Sequence, residues 1–386
     1  MHFGLSDDQR AFQDTARRFA DERLAPLYQA REAQDRFEPG LLQAMGDIGL
    51  LGADLPVEFG GSGVDAVTAG MLMYEIARGD MNVAYAPLLV SLLGDIVANH
   101  AHPDLKQQVI PKLCRGEALI ALGLTEPRGG SDAANLILKA EKRPDGSYLL
   151  NGEKTSISCA DQSDWIIAVA RTGGAGDGAR GVTAFLVPMD APGVSTSRFD
   201  DVGSKVVGRG SVFFDNVEVP EKNRLGAEGA GFREVMAGFD YSRALIGLQV
   251  LGCARASLDQ TWDWVQQRTA FGHPIARFQG VSQPLAEAET RLHAAELVCY
   301  RTLWLRDQGE RHTAEAAMCK WYAPQVAFET AHQCVLLHGH MGYAKDTPHQ
   351  QRMRDIMGLQ IGDGTAQIQK MIISREKVGR VAVPYD

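Results

Sequence analysis

The first 120 residues place apolar side chains at the three- and four-residue intervals of amphipathic helices. "LSDDQRAFQDTARRFADERL" opens the pattern, with Ser6 or Asp7 positioned as the N-cap and acids in the first turn. "PGLLQAMGDIGLLGADLP" and "AVTAGMLMYEIARGD" repeat it, and the glycine-rich "PVEFGGSGVD" between them reads as a connector. From about 121 to 235 the texture changes. "SYLLNGEKTSIS", "DWIIAVAR", "VTAFLVPMD" and "SVFFDNVEV" are short β-type runs. Pro144 with Asp145-Gly146, Asn151-Gly152 and "TGGAGDGARG" read as the turns between them. From about 236 helices return. Leu251, Leu258, Trp262 and Val265 share one face of a long helix, and Leu285, Ala288, Leu292, Ala295 and Cys299 share one face of the next.

The pattern predicts a mainly α protein with a central β domain. Its parts are an N-terminal helical domain (1–120), a middle antiparallel β domain (121–235) and a C-terminal four-helix bundle (236–386). Strands and helices do not alternate, and no G-x-G-x-x-G opens a helix after a strand, which argues against a dinucleotide-binding βαβ fold.

Composition narrows the function classes. The chain has 386 residues, more than one ordinary core accommodates, with 45% hydrophobic and 23% charged residues, as in soluble globular proteins. A net charge of -9 argues against a nucleic-acid surface. No apolar run has the length of a membrane span, and acids at the N-terminus are unlike a signal peptide, so a cytoplasmic protein is expected. The cysteines, Cys114, Cys159, Cys253, Cys299, Cys319 and Cys334, form no C-x-x-C pair; buried reduced thiols are expected and no metal site is.

One stretch raises a chemical question. "LQIGDGTAQIQK" holds Asp363 between Gly362 and Gly364. Glycines admit backbone conformations closed to other residues, so the acid is either a turn residue or a base aimed at something.

Four segments, in order, carry a resemblance. They are "LGLTEPRGGSD" (122–132), "LNGEKTSIS" (150–158), "RTAFGHPIARFQ" (268–279), and "LLHGHMGY" (336–343) followed by the Asp363 stretch. Together they resemble the acyl-CoA dehydrogenase family of FAD flavoenzymes, over nearly the whole chain. The resemblance implies FAD contacts from Leu122, Leu124, Thr125, Gly130 and Ser131, and from Ser156, Ile157 and Ser158. Ser156 stands where the family carries Trp, which removes an aromatic packing partner. Arg268, Phe271 and Gln279, with Leu336, Leu337 and Gly339, match positions that reach the FAD of a neighbouring subunit, which implies a homotetramer. His340 replaces a usual glycine there. Thr365 and Gln367 complete the FAD set. Ser131, Asp240, Tyr241, Arg243 and Gly364 are implied for acyl-CoA, with Arg243 as the anchor.

The family's base removes the substrate α-proton while the β-hydrogen leaves as hydride to flavin N5. Some relatives carry that base immediately before the Arg of the CoA-binding helix. Here that position is Ser242, so the resemblance assigns the base to Asp363, where most relatives have Glu. Members with Asp at this position resemble dehydrogenases of alicyclic acyl-CoAs, giving cyclohexanecarboxyl-CoA as the expected substrate and cyclohex-1-ene-1-carboxyl-CoA as product. The 1,4-dehydrogenating subgroup uses an extra Asp absent from "NVAYAPLLVS" (82–91). An electron-transfer flavoprotein is the implied acceptor. A nitroalkane oxidase-like enzyme, an acyl-CoA oxidase and a non-catalytic flavin-binding relative are the alternatives; Arg243, Gly364-Thr365 and the retained acid weigh against the first and third.

Overall fold

The computed structural model describes residues 4–383; the first and last three residues of the expected outer domains lie outside the described residues. The N-terminal region is helical: α1 (Asp7–Phe19), α2 (Tyr28–Arg31), α3 (Pro39–Asp47), α4 (Ala66–Gly79), α5 (Tyr85–His100) and α6 (Pro103–Cys114). Ser6, not Asp7, caps α1. Its hydroxyl accepts from the Gln9 N–H at 3.1 Å while Gln9 Oε1 accepts from the Ser6 N–H at 3.1 Å, a reciprocal box.

The middle region is an eight-stranded sheet of β1 (Ile120–Gly123), β2 (Lys139–Lys142), β3 (Tyr148–Ile157), β4 (Trp165–Arg171), β5 (Val182–Pro188), β6 (Val194–Arg198), β7 (Gly210–Val219) and β8 (Arg224–Leu225). Its order is β6-β7-β3-β2-β4-β5-β8, with β1 also on β4. The sheet is mixed rather than antiparallel throughout, because β1 and β2 both meet β4 in parallel. Asn151-Gly152 is not a turn. It lies inside β3 at a register shift, and the turn that reverses the chain is the one at Asp145-Gly146, where Gly146 has φ +89°. At the bulge the Asn151 side chain accepts from the Asn216 N–H at 2.9 Å, a bond that holds the displaced register.

The C-terminal region contains α7 (Gly231–Gln267), the short hairpin β9 (Thr269–Ala270) and β10 (His273–Pro274), α8 (Gln279–Asp307), α9 (Thr313–His338), α10 (His340–Tyr343), α11 (His349–Gly358) and α12 (Ala366–Val378). Helix α7 begins at Gly231, ahead of the expected boundary at 236. Helices α7, α8 and α9 pack on one another and α12 packs on α9. The seam residues of α8 are buried as expected, but α7 from Tyr241 to Ala254 is buried all round. It runs between α9 and the N-terminal α4, and a Cβ on Gly252 would stand 2.3 Å from the Tyr74 carbonyl of α4. Only glycine permits that close helix approach.

A buried aspartate fastens the three regions together. Asp355 of α11 accepts from the Tyr28 hydroxyl, from Asn82 Nδ2 at 2.9 Å and from the Ser204 N–H at 2.6 Å. Tyr28 and Asn82 belong to the N-terminal region and Ser204 to the middle one. The six cysteines are buried free thiols. Among the described residues no helix is long and apolar enough to cross a membrane.

Candidate active site

Asp363 lies in the loop between α11 and α12, with φ +55°. The left-handed region is uncommon for non-glycine residues, though Asp tolerates it better than most. Gly364 follows at φ +96°, and a Cβ there would meet Gln369 Nε2 at 2.4 Å. Gly362 has neither constraint, since a Cβ would find only the Gly358 carbonyl at 3.9 Å. The two flanking glycines are therefore not equivalent: Gly364 is demanded by geometry and Gly362 is not.

The Asp363 carboxylate is half-buried and accepts no hydrogen bond among the described residues. Burial raises its pKa above the ordinary aspartate value, while Lys320, Arg243 and Arg209 oppose the rise. These cations come from separate elements. Lys320 is on α9, Arg243 on α7, and Arg209 immediately precedes β7 of the middle sheet. Tyr85, at the start of α5, lies close enough for Arg209 and Asp363 to act on its hydroxyl, and Arg209 Nη2 donates to that oxygen at 3.3 Å. Asp363 thus sits where all three regions meet.

The backbone around Asp363 is unusually open. The N–H groups of Asp363, Gly364 and Thr365 have no acceptor among the described residues. Thr365 is the N-cap of α12, so the free amides end at a helix N-terminus, which favours negative charge.

Arg243 is buried, pairs with Asp240 at 3.1 Å, and leaves its Nε without a partner. Asp240 Oδ2 in turn accepts from Thr313 Oγ1 at 2.6 Å. Tyr241 does not join this group. Its hydroxyl donates to Asp54 at 2.7 Å, because neighbouring positions on a helix point to different sides.

The structure brings the first two sequence segments together. The Thr155 N–H donates to the Thr125 carbonyl at 2.9 Å. Lys154 donates to the Leu124 carbonyl at 3.1 Å and pairs with Glu126 at 2.8 Å, and both side chains are buried. Glu126 also accepts from the N–H groups of Ile137 and Leu138, both at 2.7 Å. Burial lowers the Lys154 pKa to about 8, against the pull of Glu126. Leu122 and Thr125 are half-buried, Leu124 is buried, and Gly130 and Ser131 are exposed. Ser156 sits at a second register shift of β3 with φ +58° and faces solvent; Ile157 turns into the core and Ser158 is half-buried. Bulges re-aim side chains in this way. Ile157 pairs with Gly210, next to Arg209, so the bulge and the Asp363 loop share a neighbour.

Arg268, Phe271 and Gln279 form a separate exposed group. Phe271 and Gly272, both at positive φ, make the two-residue turn of the β9–β10 hairpin, and Phe271 is 92% exposed. Arg268 has no ion pair among the described residues and lies over Trp264, which stacks on His338 at 5.1 Å. That contact brings in the end of α9: exposed Leu336, half-buried Leu337, and Gly339 at φ +62°. His340 is exposed and begins α10. Arg243 and Arg268 stand toward opposite ends of α7, roughly 37 Å apart at ~1.5 Å of rise per residue. Thr365 is half-buried and Gln367 exposed on the first turn of α12.

Sequence reasoning missed Lys320, Arg209, Gln369 and the Lys154–Glu126 pair. Lys320 carried a signal, a lone cation inside the apolar "EAAMCKWYA". Arg209 carried none.

The chain matches three family profiles: acyl-CoA dehydrogenase N-terminal domain (residues 6–117), middle domain (121–217) and C-terminal domain (229–378). It is 36% identical to an acyl-CoA dehydrogenase of Bacillus subtilis, over 98% of this chain and 100% of the relative. It is 35% identical to benzylmalonyl-CoA dehydrogenase of Aromatoleum aromaticum, over 97% and 99%. The solved butyryl-CoA dehydrogenase of Megasphaera elsdenii superposes with a TM-score of 0.94 at 31% identity, over 98% of this chain and 100% of that one. Other similar structures hold FAD or FADH2. The sequence order, the three-region fold and these matches agree: the chain belongs to the acyl-CoA dehydrogenase family, flavin-dependent oxidoreductases acting on CH–CH bonds.

Proposed function

We propose that this enzyme desaturates an alicyclic acyl-CoA, with cyclohexanecarboxyl-CoA as the representative substrate, and that Asp363 takes the α-proton. The observation that carries the reading is the state of Asp363. It is a carboxylate with no hydrogen-bond partner among the described residues, facing Lys320, Arg243 and Arg209, in a loop whose own N–H groups are free.

The residues that would hold FAD fit it in chemistry. Thr125 and Ser158 offer hydroxyls at or near the β3 bulge, Ser131 offers another on the exposed loop after Thr125, and Arg268 is a cation with no ion pair among the described residues, suited to a pyrophosphate. Bound there, FAD supplies the two-electron acceptor for the β-hydrogen. Because Arg268 lies so far along α7 from the base, it serves the FAD of another copy in this reading, which calls for a homotetramer. Electron-transfer flavoprotein is the proposed acceptor.

The chain's own part is acid–base chemistry. Arg243, held by Asp240, anchors the CoA portion. The Asp363 N–H donates to the thioester oxygen as negative charge grows there, and the Asp363 carboxylate accepts the proton. The raised pKa makes it a stronger base than an aspartate in water, and the three cations oppose that rise.

Substrate shape follows from reach. Asp is shorter than Glu by one carbon, ~1.5 Å, and a shift of about 1 Å can cost on the order of 10²-fold. A ring branched at the α-carbon compensates by bringing that carbon closer. The exposed Ser156, in place of an aromatic, leaves width for it. The 35% identity to a dehydrogenase named for benzylmalonyl-CoA, a thioester with a bulky α-substituent, supports width near the α-carbon, though its ring is not alicyclic. Anaerobic flavin bleaching with cyclohexanecarboxyl-CoA, butyryl-CoA and octanoyl-CoA tests this. The ring substrate is expected to be fastest; a straight chain ahead by roughly tenfold in kcat/KM would defeat the ring assignment.

A further inference from the structure

We propose that Lys320 and Gln369 are paired positioning residues that hold the Asp363 loop in its reactive backbone conformation. The proposal rests on the reading of Asp363 as the base. Neither residue is assigned a role by the resemblance or the comparisons, and neither side chain hydrogen-bonds the Asp363 carboxylate.

The loop's own conformation is unusual. Asp363 and Gly364 are consecutive residues at φ +55° and +96°. Left-handed residues persist where surrounding structure over-determines them. Here the surroundings are two buried side chains from two helices. Gln369 of α12 is fully buried, and its Nε2 donates to the Asp363 carbonyl at 3.0 Å and to the Gly364 carbonyl at 3.2 Å. Lys320 of α9 is 1% exposed, and its ammonium donates to the Leu359 carbonyl at 2.7 Å, with the Gly364 carbonyl at 3.5 Å. Leu359 is the C-cap of α11, so Lys320 fixes one end of the loop while Gln369 fixes the other. A Cβ on Gly364 would collide with the Gln369 amide, which shows how closely the clamp is fitted.

Gln369 can do this only as an amide. A carboxylate there would point oxygens at two carbonyls. Lys320 adds charge to the clamp. Asp363 is faced by Lys320 from α9, Arg243 from α7 and Arg209 from the middle sheet, with Tyr85 from α5 beside Arg209. Asp355 of α11 acts on Tyr85 but is itself held by Tyr28, Asn82 and the Ser204 N–H. Arg375 of α12 acts on Arg243. Removing the Lys320 charge leaves burial less opposed, so Asp363 would hold its proton to higher pH.

The test uses FAD-loaded, full-length enzyme and anaerobic stopped-flow reduction by cyclohexanecarboxyl-CoA across pH. Lys320→Met should slow reduction by on the order of 10²-fold, leave the substrate dissociation constant near wild type, and move the acid limb of the rate to higher pH. Lys320→Arg should return the limb to its wild-type place. Gln369→Glu should slow reduction and move the limb in the same direction, and it stands in if Lys320→Met does not fold. An unmoved limb with a near wild-type rate in the variant that folds would overturn the proposal. Asp363→Asn, run alongside, separates the two readings. If it reduces flavin normally, the base reading is wrong; if it is inactive while the clamp variants behave as wild type, only the clamp is.

Discussion

Asp355 and Asp363 lie on the same stretch of chain, and burial raises the pKa of both. Their surroundings differ in kind. Asp355 accepts from a hydroxyl, an amide and a backbone N–H, each delivered by another element. Among the described residues Asp363 accepts from none, and Lys320, Arg243 and Arg209 face it at longer range. A carboxylate whose lone pairs are filled by the fold cannot accept a proton without breaking the fold. One whose lone pairs the fold leaves unfilled can accept a proton without that loss, although the cations facing it oppose the uptake. The contrast gives Asp355 a structural role and, in the proposed reading, leaves Asp363 open for a chemical one.

The largest difference should appear in stability. Asp355→Ala would strand three buried donors and loosen the joint between regions, a loss on the order of 3–5 kcal/mol in urea unfolding. Asp363→Ala should change stability by no more than about 1 kcal/mol. Similar losses at both sites would erase the distinction.

The flanking glycines give a smaller contrast. Gly364→Ala meets both a positive φ and the Gln369 amide and should cost about 1–3 kcal/mol. Gly362→Ala should stay within about 0.5 kcal/mol. Equal effects would mean that the loop relaxes around either change.

The smallest expected effect is in the pH dependence of stability. With its pKa raised, Asp363 holds its proton more tightly in the folded chain than in the unfolded one. That contribution is fully present below the ordinary aspartate value, ~3.9, and is lost as pH rises through the raised one. Wild type should therefore gain stability relative to Asp363→Asn as pH falls through this window, read as a difference in denaturation midpoint. A wild-type-minus-Asn stability difference that stays flat or falls on acidification would mean that the carboxyl is not raised.

Much of this was legible in the sequence. Helical periodicity, the switch to β-type runs and the return of long apolar seams anticipated the three regions, because one buried face per element is a local property. The pairing of β1 and β2 with β4 in parallel was not legible, since nothing local records which edge a strand will meet. Asn151-Gly152 misled because the same dipeptide that makes a hairpin also makes a bulge. Asp363 stood out between its glycines, but its electrostatic setting did not. Arg209 and Lys320 reach it from distant parts of the chain, and only the Lys320 position, a charge among alanines, could have raised suspicion. The resemblance implied Tyr241 beside Arg243; that the helix turns the Tyr241 hydroxyl toward Asp54 was not legible.

The assignment of Asp363 as base stands or falls on anaerobic reduction of the FAD-loaded enzyme by cyclohexanecarboxyl-CoA, wild type against Asp363→Asn, with substrate binding read from the perturbed flavin spectrum. The Asn side chain keeps size and the backbone N–H but cannot accept a proton. Binding should persist while reduction falls by about 10²–10⁴-fold. Reduction within roughly tenfold of wild type would place the base elsewhere and leave Asp363 a turn residue.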